Sequence, residues 1–504
     1  MKSRGEFGPW GVRNARALLG WHAAPHRATP EINVTRLAPG SGCCRVEWEY
    51  PEACGSDWRY EVECGPAGAS DRGVAATVPA KGDGGAATLT GLSNGSDHEA
   101  RIVLRDASGR LVSTSPVRLF RCGEVPGVVV NYIHPDDYTW AFSGRSPASP
   151  SIVMLPGGAI LVSHDVFWGG AGQNLTMIFR SDDGGASFSF VTAVFPCFWG
   201  SLFLHRGALY LLGMNAEYGA CLIGRSDDEG RTWSVPTPLL GGGHRDTGGP
   251  HRAPMPIVAH EGRLWTVIDH GSWSTGGHAT GVLSCPADAD LLDAAAWTMS
   301  ACLPYDPAWP GAVIGGTTPG FLEGNVVVSP EGRLLVIPRY QTQGARPSHG
   351  LVPLLSLDPG RPAAAPRFER FVGFLGNASK FTIRRHPTTG RYLSLVNRVT
   401  GANDSQRNVL SLVSSRDLIT WRLVKDVLNY EENGWPEDST QVGFQYVDWV
   451  FDRKDILAVS RTAINGAYNY HNANHITFHR IGGVTVADVP ASNFKNSLKS
   501  RGSS

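Results

Sequence analysis

Three arginines, Arg339, Arg398 and Arg461, end three consecutive copies of one strand pattern in this 504-residue sequence. Each arginine follows a short run of alternating apolar residues. Arginine is seldom buried without a partner, and its planar guanidinium can bind a carboxylate through two parallel hydrogen bonds. The three arginines therefore predict either a pocket for an anionic ligand or a ring of ion pairs between neighbouring elements.

The strand pattern itself occurs six times, each time as a turn residue, a run of alternating apolar residues and a polar end. The copies span residues 158–164, 207–214, 262–270, 332–339, 390–398 and 454–461. Successive copies lie about 50 to 70 residues apart, which suits a four-stranded propeller blade with its loops. We therefore predict an all-β fold with a six-bladed β-propeller, seven blades being the alternative. A strand at 127–132 would close the ring.

A turn motif recurs between the copies of the strand pattern. Ser226–Trp233 reads Ser-Asp-Asp-Glu-Gly-Arg-Thr-Trp, Ser181–Phe188 is a near copy, and Ser414–Trp421 is a degenerate one. In such a hairpin turn Asp caps backbone N–H groups, Gly takes a positive φ, and the aromatic residue packs beneath the neighbouring strand. The motif resembles the Asp box, or BNR repeat, of sialidase-type β-propellers, and the resemblance implies that fold.

Short alternating strands with turn residues between them run from about residue 31 to residue 122. Trp48 and the stretch Thr88–Leu104 resemble the core tryptophan and one corner of a fibronectin type III domain. The resemblance implies a small β-sandwich that serves as a spacer or docking module. We therefore predict four parts: an N-terminal segment 1–28 with a short helical pattern at 14–21, a sandwich 29–123, the propeller 124–485 and a flexible C-terminal tail 486–504.

Composition excludes several classes of partner. The formal net charge is zero, so neither nucleic acid nor an anionic membrane is expected to bind. The sequence has no apolar run of about 18 residues, and its N-terminus lacks the apolar core of a secretory signal, which favours a cytoplasmic location. The nine cysteines and the histidines show no metal-ligand spacing, and we predict neither a metal nor a cofactor.

A more specific resemblance lies in the second half of the chain. Glu323 precedes Arg339 at the end of a Gly-Arg-Leu-Leu strand, Arg407 begins an Asn-Val-Leu strand, and Tyr446 begins a Tyr-Val-Asp-Trp stretch. In order and spacing these residues are similar to the site of the sialidase superfamily. The resemblance implies retaining hydrolysis with Tyr446 as nucleophile, Glu323 as its base, and Arg339 and Arg407 as ligands of a substrate carboxylate.

The first half departs from that family. The family's first arginine falls on Ala148, and Arg145 is the nearest arginine. Its acid/base aspartate belongs in a loop that here reads Trp168–Gln173, and Asp165 is the nearest acid. We therefore expect an acidic glycan, but not the standard sialidase substrate.

Histidines widen the range of reactions. His164 ends a copy of the strand pattern and could act as a general acid or base near neutral pH. His251 and His270 lie in the Gly-rich segment 241–281, which we expect to form loops over the pocket together with an aromatic tail at 468–475.

We predict an exo-acting glycoside hydrolase on an acidic oligosaccharide or polysaccharide. The candidate catalytic residues are Tyr446, Glu323, His164 and Asp165. The candidate substrate-binding residues are Arg339, Arg407, Arg398, Arg461, Arg145, His251 and His270. One alternative is a lyase acting by β-elimination at a uronate linkage, resembling the rhamnose–glucuronate and ulvan lyases, with His164 and Tyr446 moving the protons. The other is a glycan-binding propeller without catalysis.

Overall fold

The computed structural model describes residues 21–23, 31–82, 84–169, 172–433 and 440–483, and these residues are almost entirely β-structure. The predicted helical pattern at 14–21 and the predicted tail at 486–504 lie outside the described residues, except for Trp21. Within the described residues, no helix has the length and apolarity needed to cross a membrane.

The N-terminal region forms two antiparallel sheets around one core. The first sheet consists of the strands Asn33–Gly40, Cys43–Glu49 and Gly84–Thr90. The second consists of Gly73–Pro79, Arg59–Pro66, Asp97–Arg105, Leu111–Thr114 and Arg118–Arg121. Trp48 is buried between the sheets, with its ring 5.3 Å from that of Tyr60. The apolar faces of the alternating strands thus supply the sandwich core.

The rest of the chain forms antiparallel sheets in sequence order, which we call blades 1 to 6. Blade 1 contains Ser146–Met154, Ile160–Phe167, Leu175–Ser181 and Ser189–Phe195, with His22–Ala23 added at its outer edge. Blade 2 contains Phe198–His205, Ala208–Met214, Cys221–Ser226 and Thr237–Leu240. Blade 3 contains an interrupted first strand (Gly249–His251 and Val258–His260), then Arg263–Ser272, Gly277–Pro286 and Thr298–Met299.

Blade 4 contains Gly320–Val328, Leu334–Gln341, Leu351–Ser356 and Arg367–Gly373. Blade 5 contains Thr382–Arg385, Tyr392–Asn397, Val409–Ser415 and Trp421–Asn429. Blade 6 contains Gly443–Asp452, Asp455–Ala463, His475–Ile481 and, as the predicted closing strand, Val128–Tyr132. The remaining elements are a small ladder of Ile314–Gly315 with Ala345–Arg346, the helix Tyr430–Asn433, and the 3₁₀ turns Trp273–Thr275 and Ala294–Ala296.

Hydrogen bonds join each blade to the next and the last blade to the first. In order, the bonds are Leu202 N to Ser151 Oγ (3.1 Å), Met255 N to Ser201 Oγ (3.2 Å), Glu323 N to Asp269 Oδ2 (2.8 Å), Ile383 N to Asn325 Oδ1 (2.8 Å), Trp449 Nε1 to Thr382 O (3.1 Å) and Ile152 N to Asp448 Oδ2 (3.1 Å). The chain therefore forms a closed β-propeller, and closure removes exposed strand edges from the ring.

The six copies of the strand pattern are the second strands of the blades, not the innermost strands. Ile160–Phe167, for example, is buried along its whole length between two neighbouring strands. The first strand of each blade runs antiparallel to the second, so the second strand ends on the face of the propeller where the first begins. Side chains from both strands can therefore meet on that face.

The turn motifs hold their hairpins by side-chain caps. Ser226 Oγ donates to Asp228 Oδ1 (2.8 Å), which also accepts the backbone N–H of Thr232 (2.8 Å). The degenerate copy starts one residue later than its sequence suggests, because Ser415 makes the equivalent bond to Asp417 at 3.0 Å. Leu418 then takes the positive φ of 65° that glycine takes in the other copies.

Candidate active site

A cavity of about 420 Å³ opens on the face where the first strands begin, and every blade contributes to its wall. One wall residue from each blade, in order, is Ser149, Trp199, His251, Glu323, Asn377 and Tyr446. The sandwich contributes none of the described wall residues. Because the wall surrounds the cavity on all sides, the site is a pocket and not an open groove.

Bulges in the first strands aim four of these wall residues into the cavity. Strand pairing is interrupted at the same place in blades 1, 2, 4 and 6, and the residue there has a positive φ. These residues are Ser149 (45°), Trp199 (52°), Glu323 (53°) and Tyr446 (54°). A left-handed non-glycine residue costs about 1–3 kcal/mol and is held in place only by the structure around it. Bulges are a common device for redirecting a side chain next to a functional site.

The second strands supply a matching ring of side chains. The second-strand residue that pairs just before the interruption is Asp165 in blade 1, Met214 in blade 2, Asp269 in blade 3, Arg339 in blade 4 and Arg461 in blade 6. Arg339 and Arg461, two of the candidate substrate-binding residues, line the cavity. Asp165 and Asp269 lie beneath it and have no exposed surface. This position therefore carries a cavity arginine in blades 4 and 6, a buried aspartate in blades 1 and 3, and a methionine in blade 2.

Each buried aspartate holds one bulge. Asp269 accepts the backbone N–H of Glu323 (2.8 Å) and the hydroxyl of Thr280 (3.1 Å). Asp165 accepts the N–H of Trp199 (2.9 Å) and the hydroxyl of Thr176 (2.7 Å). Burial raises the pKa of Asp165 to about 8 and that of Asp269 to about 7, although these hydrogen bonds oppose the shift. Asp165, a predicted catalytic residue, therefore supports a wall residue and does not line the cavity itself.

Arg339 joins the two predicted catalytic residues that do line the cavity. Its Nη1 donates both to Glu323 Oε2 (2.8 Å) and to the Tyr446 hydroxyl (3.0 Å), and its Nη2 donates to Gln341 (2.7 Å). Burial is the largest single effect and would raise the pKa of Glu323, but the charge and hydrogen bond of Arg339, together with the other neighbouring groups, lower it. Glu323 is therefore held as a carboxylate beside the phenol of Tyr446.

Arg407 and Arg461 are buried cations in the wall of the cavity. Both donate to Gln445 Oε1, and neither forms an ion pair within the described part of the chain. Their guanidinium carbons lie 5.6 Å and 4.3 Å from the centre of the Tyr446 ring. Burial lowers the pKa of Arg407, and it lowers the pKa of Arg461 to about 9. A buried anion is the partner that these two cations lack.

The opposite wall of the cavity comes from blades 2 and 3. Glu217 binds Arg245 through both carboxylate oxygens, at 3.1 Å and 2.7 Å. His251 lies between the ring of Trp199, 4.4 Å away, and the carboxylate of Asp269, 3.4 Å away. Burial lowers the pKa of His251 to about 4, so its imidazole is neutral at pH 7. The predicted loops over the pocket contribute Arg245, His251 and Trp273, and the predicted aromatic tail contributes Tyr470 and His471.

Besides Asp165, four predicted site residues do not line the cavity. Arg398 follows the end of its strand and pairs with Asp426, the shortest contact being 2.5 Å. Arg145 packs over the ring of Tyr138 at 4.5 Å and donates to the carbonyl of Pro135. His270 is exposed on the next residue after Asp269. His164, like these three residues, contributes no surface to the cavity.

His164 is a structural residue inside blade 1. It has no exposed surface, stacks on Phe179 at a ring distance of 5.4 Å and accepts from Asn131 at 2.9 Å. Its Nδ1 lies 2.9 Å from the carbonyl oxygen of Asp165. The reason is alternation along the strand: Asp165 faces blade 2, where it binds Trp199, so the adjacent His164 faces the other side of the sheet, towards Asn131 of blade 6. No substrate can reach it, which removes it from the catalytic candidates.

Buried histidines predict a protein that is less stable in acid. Burial lowers the pKa of His164, His251 and His479 to about 4 and that of His278 and His475 to about 3. Their stabilising contribution is complete above their unfolded pKa of about 6.5 and is lost as the pH falls towards 4.

Asp165 and Asp269, with raised pKa values, have the opposite dependence, but they are outnumbered. We expect a lower Tm at pH 5 than at pH 7, measured by circular dichroism. The variant His164→Gln should show a smaller difference, and a higher Tm at pH 5 in the wild type would contradict this account.

Comparison with protein families and with curated proteins found no match. Solved structures do resemble the chain. An α-L-arabinanase of Penicillium chrysogenum with arabinobiose has 14% identity, a TM-score of 0.46, and coverage of 71% of this chain and 98% of its own. The GH93 α-L-arabinofuranosidase of Fusarium graminearum with arabinobiose has 13% identity and a TM-score of 0.47. The match covers 70% of this chain and 97% of that enzyme. A leech intramolecular trans-sialidase with 2,7-anhydro-Neu5Ac has 10% identity and a TM-score of 0.46. The match covers 92% of this chain and 93% of that enzyme.

Proposed function

We propose that this protein is a retaining exo-glycosidase that removes a terminal acidic sugar from a glycan. One observation carries the proposal: the Tyr446 hydroxyl and the Glu323 carboxylate share Nη1 of Arg339 beside two arginines that have no ion-pair partner among the described residues. The arrangement combines a nucleophile, its base and a carboxylate site within one pocket. A pocket enclosed by all the blades suits the end of a glycan, because an internal sugar would need an open groove.

The nucleophile is the phenol of Tyr446. A substrate carboxylate held by Arg407 and Arg461 lies close to the Tyr446 ring, and its charge would repel an anionic nucleophile. A neutral phenol avoids this repulsion until the moment of attack. As its oxygen bonds to the anomeric carbon, its proton passes to Glu323, and Arg339 stabilises the charge that develops between them.

Aromatic residues provide the surface for the sugar ring. Trp199, Trp273 and Tyr470 line the cavity together with the polar groups described above. Sugar rings present apolar faces that pack on such side chains, while a few placed polar groups fix their orientation. The N-terminal sandwich stands outside the pocket, and we propose that it serves as a spacer or docking module.

The test is incubation of the protein with a panel of oligosaccharides and aryl glycosides that end in acidic or neutral sugars. We expect a free acidic monosaccharide, released with retained anomeric configuration, by mass spectrometry and NMR. Release from neutral glycosides alone would overturn the assignment of the arginine pocket. An unsaturated, ultraviolet-absorbing product would indicate a lyase, and tight binding without any product would indicate a glycan-binding protein. The burial of His164 leaves the predicted lyase without its histidine.

The two buried aspartates predict different kinetic defects. Asp269→Asn should lower kcat about 10²-fold, because misplacing a reacting group by about 1 Å has this effect and Asp269 holds Glu323. Asp165→Asn should mainly raise KM, because Asp165 holds Trp199, which contacts the sugar but takes no part in the chemistry. Steady-state kinetics on the substrate found above measures both. Equal changes in kcat and KM for the two variants would show that both aspartates only support the fold.

A further inference from the structure

The proposed reaction needs a proton donor that Glu323 cannot supply. Departure of the glycan leaves a negative charge on the glycosidic oxygen unless an acid protonates that oxygen. Glu323 receives the phenolic proton of Tyr446 in the same step, so it cannot protonate the glycosidic oxygen as well. A second group on the cavity wall must therefore face the leaving group.

The histidines of the wall are poor candidates. Burial lowers the pKa of His251 to about 4, and its Nδ1 faces Asp269. Burial and the nearby arginines also place the pKa of His471 well below its ordinary value, and its Nδ1 lies 2.8 Å from Asn472 Oδ1. Both rings are neutral near pH 7 and hold no readily donated proton. Among the described wall residues, Glu217 is then the one acid besides Glu323.

Glu217 lies on a loop that fixes its position. The loop joins the second and third strands of blade 2, and Asn215 Oδ1 closes it by accepting the N–H of Ala220 at 2.7 Å. The next residue, Tyr218, is fully buried, has a φ of 58° and lies with its hydroxyl 3.3 Å from His278. Buried packing on one side of Glu217 and Arg245 on the other leave its carboxyl group with a defined orientation.

Glu217 lines the same cavity as Glu323. The side chain of Glu217 is 18% exposed, so a ligand can reach it. The two carboxyl groups come from different blades, blade 2 and blade 4. A retaining reaction needs two such groups around one pocket, a base for the nucleophile and an acid for the leaving group.

We infer that Glu217 is the general acid and base of the reaction, with Arg245 as its positioning residue. In the first step Glu217 gives its proton to the glycosidic oxygen, which takes the electron pair of the breaking bond, while Tyr446 bonds to the anomeric carbon. In the second step Glu217 takes a proton from water, the water oxygen bonds to the same carbon, and the Tyr446 oxygen leaves and regains its proton from Glu323. This inference rests on the proposed function.

The experiment compares Glu217→Gln with the wild type on aryl glycosides of graded leaving-group acidity and on the natural oligosaccharide. A good leaving group needs no proton, so we expect a loss of about 10²–10⁴-fold in kcat/KM for the oligosaccharide and a small change for the most acidic phenol. Glu229→Gln is the control, because Glu229 also forms an ion pair with an arginine, Arg180 at 2.7 Å, but lies outside the cavity.

Three outcomes separate the two proposals. If the wild type releases no acidic sugar from any substrate, the proposed function fails. If the wild type is active but Glu217→Gln loses activity equally with every leaving group, the role of Glu217 is wrong and the function stands. Unchanged activity with the oligosaccharide would overturn the role of Glu217 as well. A measurement of Tm for both variants excludes unfolding as the cause.

Discussion

Tyr446→Phe should lose turnover by roughly 10³-fold or more, because the variant lacks the oxygen that bonds to the anomeric carbon. The ring and the strained backbone are unchanged by this substitution, so Arg407 and Arg461 keep their contacts with the ring face. Binding of an acidic ligand, measured by calorimetry, should therefore change little. Loss of kcat without loss of affinity is the combination that identifies a nucleophile.

Tyr470→Phe is the matched control for this experiment. Tyr470 lines the same cavity, and its ring lies 5.7 Å from the guanidinium carbon of Arg407, yet no catalytic role is assigned to it. We expect a change in kcat of less than about tenfold, since one hydroxyl contributes about 1 kcal/mol when it acts only in binding. Full activity in Tyr446→Phe, or an equal loss in both variants, would remove Tyr446 from the mechanism.

The sequence predicts the propeller because each blade repeats its own local pattern. Alternating apolar residues mark the second strands, which are buried on both faces, and the aspartate turns mark hairpins that form without distant contacts. The first strands do not stand out in the sequence, because a bulge interrupts their alternation. The repeated pattern therefore marks the second strand of each blade, one strand out from the axis, and not the first.

The candidate site is predicted well where register can be read and poorly where it cannot. Arg339 and Arg461 lie within their strands and reach the cavity, whereas Arg398 lies just beyond the strand Tyr392–Asn397 and turns outward to Asp426. His164 and His270 are each one residue from the ring position held by an aspartate. A shift of one residue moves a side chain to the other face of a strand. The residue type alone does not show on which face of its strand a side chain lies.

The remaining wall residues come from contacts that are distant in sequence. Trp199 and Ser149 reach the cavity through bulges, and the only local signal is a small or turn-forming residue next to each. Glu217 lies in a short loop with no motif, and its partner Arg245 comes from the following blade connection. Such residues become candidates only when the ring closes and places six blade ends around one axis.

Arg461→Met is expected to stabilise the protein and to weaken its binding of acidic ligands. Arg461 is 2% exposed, has no carboxylate partner in the described chain, and has a pKa that burial lowers to about 9. Keeping such a charge out of water costs folding free energy, and replacing buried charges by apolar residues of similar volume stabilises by about 1–4 kcal/mol. The same buried charge attracts a bound carboxylate, so its removal should weaken binding by about 2–5 kcal/mol.

Arg398→Met provides the contrast that makes this prediction specific. Arg398 also ends a copy of the strand pattern, but its charge is already paired with Asp426, and it lies outside the cavity. Its removal leaves the partly buried carboxylate of Asp426 without its arginine partner. We therefore expect a small loss of stability and no change in ligand affinity. Denaturant unfolding and calorimetry with the released acidic sugar measure both quantities. We expect stability to rise and affinity to fall in Arg461→Met, but not in Arg398→Met. This result would mean that Arg461 is retained for binding at the expense of stability. A destabilised Arg461→Met with unchanged affinity would make Arg461 a structural residue and leave the anion pocket to Arg339 and Arg407.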